Sequence, residues 1–232
     1  MRFYYDSIYW IILIPVLLLS LYAQIQVSSS FRRYSRERNR RGVTGAQAAY
    51  AVLKAHGVHD VDIRPCRGEL TDHYDPRDNA IYLSEPVYNA ATVAAVGVAA
   101  HEAGHAVQYA MGYGPVRLRT AIIPVTQFGS KFAFVALMLG LVLYSQPMFG
   151  LGIILFGVTT LFQLVTLPVE FDASARALGT IDGTGLLEGE ERRGAKKVLT
   201  AAALTYVAAL LMSLVQLLRY LLIFAGRDNR RR

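Results

Sequence analysis

The sequence predicts a mainly α integral membrane protein, with about four transmembrane helices and one small α+β domain. Uncharged stretches long enough to cross a bilayer run from Ile8 to Val27, from Phe132 to Val169 and from Val198 to Leu218. The middle stretch has the length for two crossings, turned at Ser145-Gln146-Pro147. At 53% hydrophobic residues over 232 positions, the chain is too apolar and too uneven for an ordinary soluble domain. Between the first and second crossings lie roughly ninety residues of a different character, enough for one small domain that membrane helices help to support. The expected segments are 1–30, an N-terminal transmembrane anchor; 31–123, the α+β part; 124–169, a transmembrane hairpin; 170–197, a membrane-proximal segment; and 198–232, a last transmembrane helix with a basic tail.

Taken in order, Tyr9, Trp10 and Tyr22 stand towards the ends of the first crossing, where amphipathic rings favour the interface. That segment is too long for a signal-peptide core and has no small-residue cleavage pattern, so it reads as an anchor that stays. Phe31 to Arg41 then carries six arginines and one glutamate. Directly after a membrane helix and without interleaved aromatics, this run reads as a topological signal rather than a nucleic-acid surface. With the basic residues from Arg117 to Lys131 and from Arg176 to Lys197, it places the domain in the cytoplasm and the N-terminus outside. Arg227 and Arg230 to Arg232 oppose that count. Cys66 is the one cysteine, which excludes an intramolecular disulfide and a cysteine-rich zinc site.

Within the domain, Thr44-Gly45-Ala46-Gln47 predicts a capping box opening a helix through Ala55, which Gly57 ends. Val61 and Ile63 share one face of a strand, Arg67-Gly68 turns the chain, and Leu70 to Tyr74 leads to a second turn at Asp75 to Asn79. Ala80 to Ser84 is a further strand, read as an exposed edge able to pair with an extended peptide; an interior strand is the alternative. Ser84-Glu85-Pro86 starts a helical turn, and an alanine-rich helix follows from Thr92 to about Tyr109.

That helix carries His101-Glu102-Ala103-Gly104-His105. Positions four apart share a face, so both imidazoles can point at one metal ion, with Glu102 near enough to take a proton from a water there. This is the H-E-x-x-H spacing of zinc-dependent peptidases. A pair of core histidines would satisfy the same letters, but burying them with a glutamate costs several kcal/mol unless something pairs with them. Gly97 and Gly104 flank His101 on its own side, where small residues admit another backbone or simply pack. Catalytic zinc commonly has three protein ligands. After the hairpin, Glu170 and Asp172 reappear in Leu167 to Ala177, and Glu170 is the best third donor available. Asp182 to Lys197 reads as a solvated loop and helix with no assigned chemistry.

Three stretches together, GVAAHEAGHAVQ at 97–108, DHYDPR at 72–77 and VEFDASARAL at 169–178, resemble the YugP-like membrane zinc metallopeptidases. Their order also resembles the wider membrane gluzincins, such as HtpX-like and CAAX-type proteases. The resemblance implies a zincin-like metallopeptidase domain, Zn2+ as cofactor, and His101, His105 and Glu170 as its ligands. The gluzincin pattern would put an aspartate four positions after the ligand glutamate, to orient a zinc histidine. Here that position is Ser174, and Asp172, two positions on, faces away from Glu170 on a helix.

The expected function is hydrolysis of peptide bonds in membrane-associated or unfolded proteins, with Glu102 as general base. Oxyanion donors are sought among His73, Tyr74, Tyr88 and Arg176, with His73 preferred. Expected partners are a protein or peptide substrate, the lipid bilayer, and a membrane protein or second copy, with no nucleic acid. The expected place is the cell membrane, multi-pass, with the site facing the cytoplasm. The rival reading is a catalytically silent metal-containing scaffold or regulatory subunit.

Overall fold

The computed structural model describes residues 2–228, with side chains over 9–226; Arg230 to Arg232 of the tail lie outside the described residues. The element order is α1 (Arg2–Tyr34), α2 (Gly45–Ala55), β1 (Asp62–Cys66), β2 (His73–Asp75), β3 (Ala80–Ser84), α3 (Glu85–Tyr88), α4 (Val93–Ala110), α5 (Gly114–Val142), α6 (Gln146–Thr184) and α7 (Gly189–Asp228). Four helical stretches are each long and apolar enough to cross a membrane: Tyr9–Tyr34, Gly114–Val142, Gln146–Thr184 and Gly189–Gly226. With one three-stranded sheet besides, the protein is mainly α with a small α+β part.

The chain divides into two compact units. One comprises Met1–Tyr22, Leu118–Leu167 and Thr205–Arg232. Its buried centre is Leu137, Phe149 and Ile153, packed by Leu217, Tyr220 and Phe224. A Cβ on Gly140 would strike the Phe149 backbone, and one on Gly152 would come within 2.7 Å of the Leu137 side chain and backbone nitrogen, so glycine permits α5 and α6 to approach here. Large apolar side chains such as Ile11, Leu18, Phe134 and Ile154 point outward, as a lipid-facing surface requires. Arg219 lies over the Tyr9 ring at 4.2 Å, and the Tyr9 hydroxyl donates to Gln216 Oε1 at 3.0 Å.

The second unit comprises Ala23–Arg117 and Pro168–Leu204. The capping box forms as expected: Thr44 Oγ1 accepts from the Gln47 amide at 3.3 Å, and Gln47 Oε1 accepts from the Thr44 amide at 2.9 Å. Gly57, at φ +69°, then turns the chain away. The sheet order is β1-β3-β2, with β1 parallel and β2 antiparallel to β3. Ala80 to Ser84 is therefore the central strand, correcting its reading as an edge. Its neighbours have no buried residue, whereas Ala80, Ile81 and Leu83 are wholly buried, and that burial draws the strand inward. Beside it lie two edges, β1 and, at His73 to Asp75, β2. Asp72 anchors the approach to β2, accepting from the Ser84 amide at 2.8 Å and the Ser84 hydroxyl at 3.0 Å.

The membrane stretch expected to end at Val169 continues as one helix to Thr184. Pro168 removes a single backbone donor, and the helix persists because Val169, Ala173, Ala177 and Ile181 beyond it are fully buried. The basic run also has a local use. Arg41 donates to the Thr184 and Gly185 carbonyls at 3.1 and 2.6 Å, satisfying oxygens left open at the end of α6.

Candidate metal centre

The centre begins with the reason α4 is buried. Thr92 caps it, its hydroxyl oxygen accepting from the Ala95 amide, and alanine, the best helix former, is its commonest residue. Small side chains all round let neighbours close in on every side. A Cβ on Gly104 would lie 2.6 Å from the Ala173 carbonyl oxygen of α6, and one on Gly97 would lie 3.3 Å from Ala195 Cβ of α7. The close approach read from these glycines is thus present, and at Gly104 it is backbone against helix.

On α6, Glu170, Ala173, Ser174 and Ala177 recur at intervals of three and four and share one face. On α4, His101 and His105 do the same, their rings edge to face with centroids 4.7 Å apart. His101 Nε2 lies 3.3 Å from Glu170 Oε2, and His105 Nε2 lies 3.5 Å from that oxygen. Glu170 is only 2% exposed, so its carboxylate has left water for these imidazoles. Donor atoms from all three residues lie within 4.8 Å of one another, a group that could hold a metal ion. Zinc bonds of about 2.0 to 2.1 Å at tetrahedral angles separate neighbouring donors by about 3.3 to 3.4 Å, so the two measured spacings fit such an ion. Burial pulls the His105 pKa down, but the Glu170 hydrogen bond and the charges of Glu102 and Glu170 outweigh it, leaving a net rise.

Behind the donors stand residues that fix the rings. Ser174 Oγ lies 3.1 Å from His101 Nδ1. His105 Nδ1 lies 3.0 Å from Gln108 Oε1, and Gln108 Nε2 donates to the Val169 carbonyl at 2.7 Å and to Asp172 Oδ2 at 2.8 Å. Asp172 is in turn held by Arg176 Nε at 2.6 Å. Asp172 reaches His105 through the Gln108 amide. Gln108 ends the GVAAHEAGHAVQ stretch, and its signal in the sequence is a polar residue in an apolar run, three positions beyond His105.

The structure does not gather the remaining candidates in the same way. His73 is exposed on β2, stacked on Tyr82 at 5.1 Å, with Nδ1 2.7 Å from the Thr71 carbonyl. Tyr74 donates its hydroxyl to Asn79 Oδ1 at 2.7 Å and rests on the Tyr109 ring of α4 at 5.3 Å. Burial first, then the charges around it, push its pKa up to about 12, so the hydroxyl stays protonated. Tyr88 packs against the core, and Arg176 is engaged by Asp172. Glu102 is half-buried, and among the described residues no hydrogen bond or ion pair occupies its carboxylate.

The family described as "Putative neutral zinc metallopeptidase" matches residues 9–225. The "Putative membrane protease YugP" of Bacillus subtilis (strain 168) is 48% identical over 217 residues, covering 93% of this chain and 96% of its own length. No solved structure matches. Matched from its first membrane stretch to its last, the chain belongs to this neutral zinc metallopeptidase family.

Proposed function

We propose that the protein is a multi-pass zinc endopeptidase of the cell membrane that hydrolyses peptide bonds of membrane-associated or unfolded proteins, with its site facing the cytoplasm. The observation that carries this reading is the convergence of His101 Nε2 and His105 Nε2 on the buried Glu170 carboxylate. These three residues would hold the ion. Zinc, when bound, polarises the scissile carbonyl and lowers the pKa of its water to about 7. Glu102 takes the proton of the attacking water on its carboxylate and delivers it to the leaving nitrogen. The exposed edge of β2 offers main-chain groups to an extended substrate, which suits a peptidase with little demand on sequence.

Purified in detergent, the wild type should contain bound zinc and cleave unfolded casein, with cleavage abolished by chelator and by Glu102→Gln. Equal cleavage by wild type and Glu102→Gln would sink the mechanism. Orientation has its own test: in a Cys66→Ala background, Asn79→Cys should resist a membrane-impermeant thiol label in intact cells and react once they are opened. Labelling of intact cells reverses the assignment.

A further inference from the structure

We propose that Gln108 is a positioning residue that dictates which nitrogen of His105 faces the metal, an inference that rests on the zinc reading above. The Gln108 amide cannot be turned round. Its Nε2 lies 2.7 Å from the Val169 carbonyl and 2.8 Å from the Asp172 carboxylate, two groups that only accept. Reversal would set Oε1 against both with no proton between them, a costly arrangement at a site shut off from water. The oxygen must therefore face His105 Nδ1, 3.0 Å away, and because a carbonyl oxygen only accepts, Nδ1 carries the proton.

A neutral imidazole protonated at Nδ1 has its lone pair on Nε2, the atom turned towards Glu170. Arg176 keeps Asp172 aimed, with Nε at 2.6 Å and Nη2 at 3.4 Å. The same amide has a second effect. Val169 and Asp172 lie on either side of Glu170, so one side chain orients a histidine of α4 and tethers the turn of α6 that carries the carboxylate donor. The orienting acid expected four positions after Glu170 is thus replaced by an acid two positions after it, acting through an amide on the other histidine.

The test compares full-length wild type, Gln108→Leu, Gln108→Glu and His105→Ala in detergent, using zinc ion in competition with a chromophoric chelator. Thermal unfolding of each metal-free protein is measured alongside. Leucine keeps the volume and loses the acceptor; glutamate keeps an acceptor for His105 and can share a proton with Asp172. A positioning role predicts that Gln108→Leu weakens zinc binding about 10- to 100-fold, whereas Gln108→Glu stays within about threefold of wild type even where its metal-free form unfolds at a lower temperature. If Gln108→Leu binds zinc as wild type does, or if zinc affinity simply follows thermal stability across the variants, the proposal is overturned and the zinc reading stands. If His105→Ala also binds zinc as tightly as wild type, the zinc reading falls and takes the proposal with it. Affinity is measured without turnover, so a wild type that holds zinc through His105 and Gln108 yet leaves casein intact supports the positioning role and sinks the peptidase reading alone.

Discussion

His101 and His105 stand one helical turn apart, yet they are backed by different kinds of partner. His101 Nδ1 meets the Ser174 hydroxyl at 3.1 Å, a rotor that can donate or accept. His105 Nδ1 meets an amide whose orientation is settled by two further acceptors and, behind them, an arginine. At Nδ1, one histidine meets an adaptable hydroxyl, the other a relay of three side chains, Gln108, Asp172 and Arg176. The contrast shows that a shared spacing on one helix does not make two ligands equivalent. Their tolerance of mutation should differ accordingly.

The largest expected effect removes what both histidines share. Glu170→Ala should abolish stoichiometric zinc binding, measured as metal per purified protein, because the ion would lose its only carboxylate; unchanged metal content would sink Glu170 as a ligand. Chelation of the wild type should act in the same direction on stability. Free zinc at a hundred times its dissociation constant stabilises a fold by about 2.7 kcal/mol, so adding chelator should lower the unfolding temperature of wild type and leave that of Glu170→Ala unmoved. Next comes the packing that brings the helices together. Gly104→Ala should destabilise the protein by about 1 to 3 kcal/mol, read from denaturant or thermal unfolding, because its methyl would meet the Ala173 carbonyl at 2.6 Å.

Smaller effects separate the two histidines. Asp172→Ala should weaken zinc binding about tenfold, through Gln108, and Ser174→Ala only about threefold. Equal losses would erase the distinction. Ser174→Asp should sharpen it from the other side, strengthening zinc binding by giving His101 Nδ1 a carboxylate in place of a hydroxyl.

Acidification probes His105 itself. Its pKa in the metal-free protein is raised above the ordinary 6.5 against the pull of burial, by the Glu170 hydrogen bond and the charges of Glu102 and Glu170. A proton on Nε2 competes with zinc, so affinity should begin to fall already above pH 6.5 as the medium is acidified. The metal-free fold behaves in the opposite sense. The raised pKa contributes stability that is complete below the unfolded value and is lost as pH rises through the folded one. Calorimetry of metal-free wild type and His105→Ala across that window should show the wild type losing more stability with rising pH.

Much of this was legible in the chain itself. The spacing of His101, Glu102 and His105 implies a common helical face, because 3.6 residues per turn allows little else. The uncharged stretches imply membrane helices, because a bilayer core demands about twenty apolar residues in a row. Glu170 could be chosen by chemistry, as an acid reappearing on the far side of a hairpin. Local patterns also specified the capping box at Thr44 and the turn at Gly57.

Tertiary structure decided what depends on contacts between distant segments. Ala80 to Ser84 became the central strand because two other segments pair with it, and pairing leaves no local trace when the strand is short and apolar. Gln108 acquired its partners only when α6 came to rest on Gly104, which brought Val169 and Asp172 within hydrogen-bond reach of an amide more than sixty positions earlier. Periodicity tells which residues of one helix share a face. The residue that faces them across the gap is set by how two helices pack, and that is why the candidate ligands could be named from the sequence while the relay behind His105 could not.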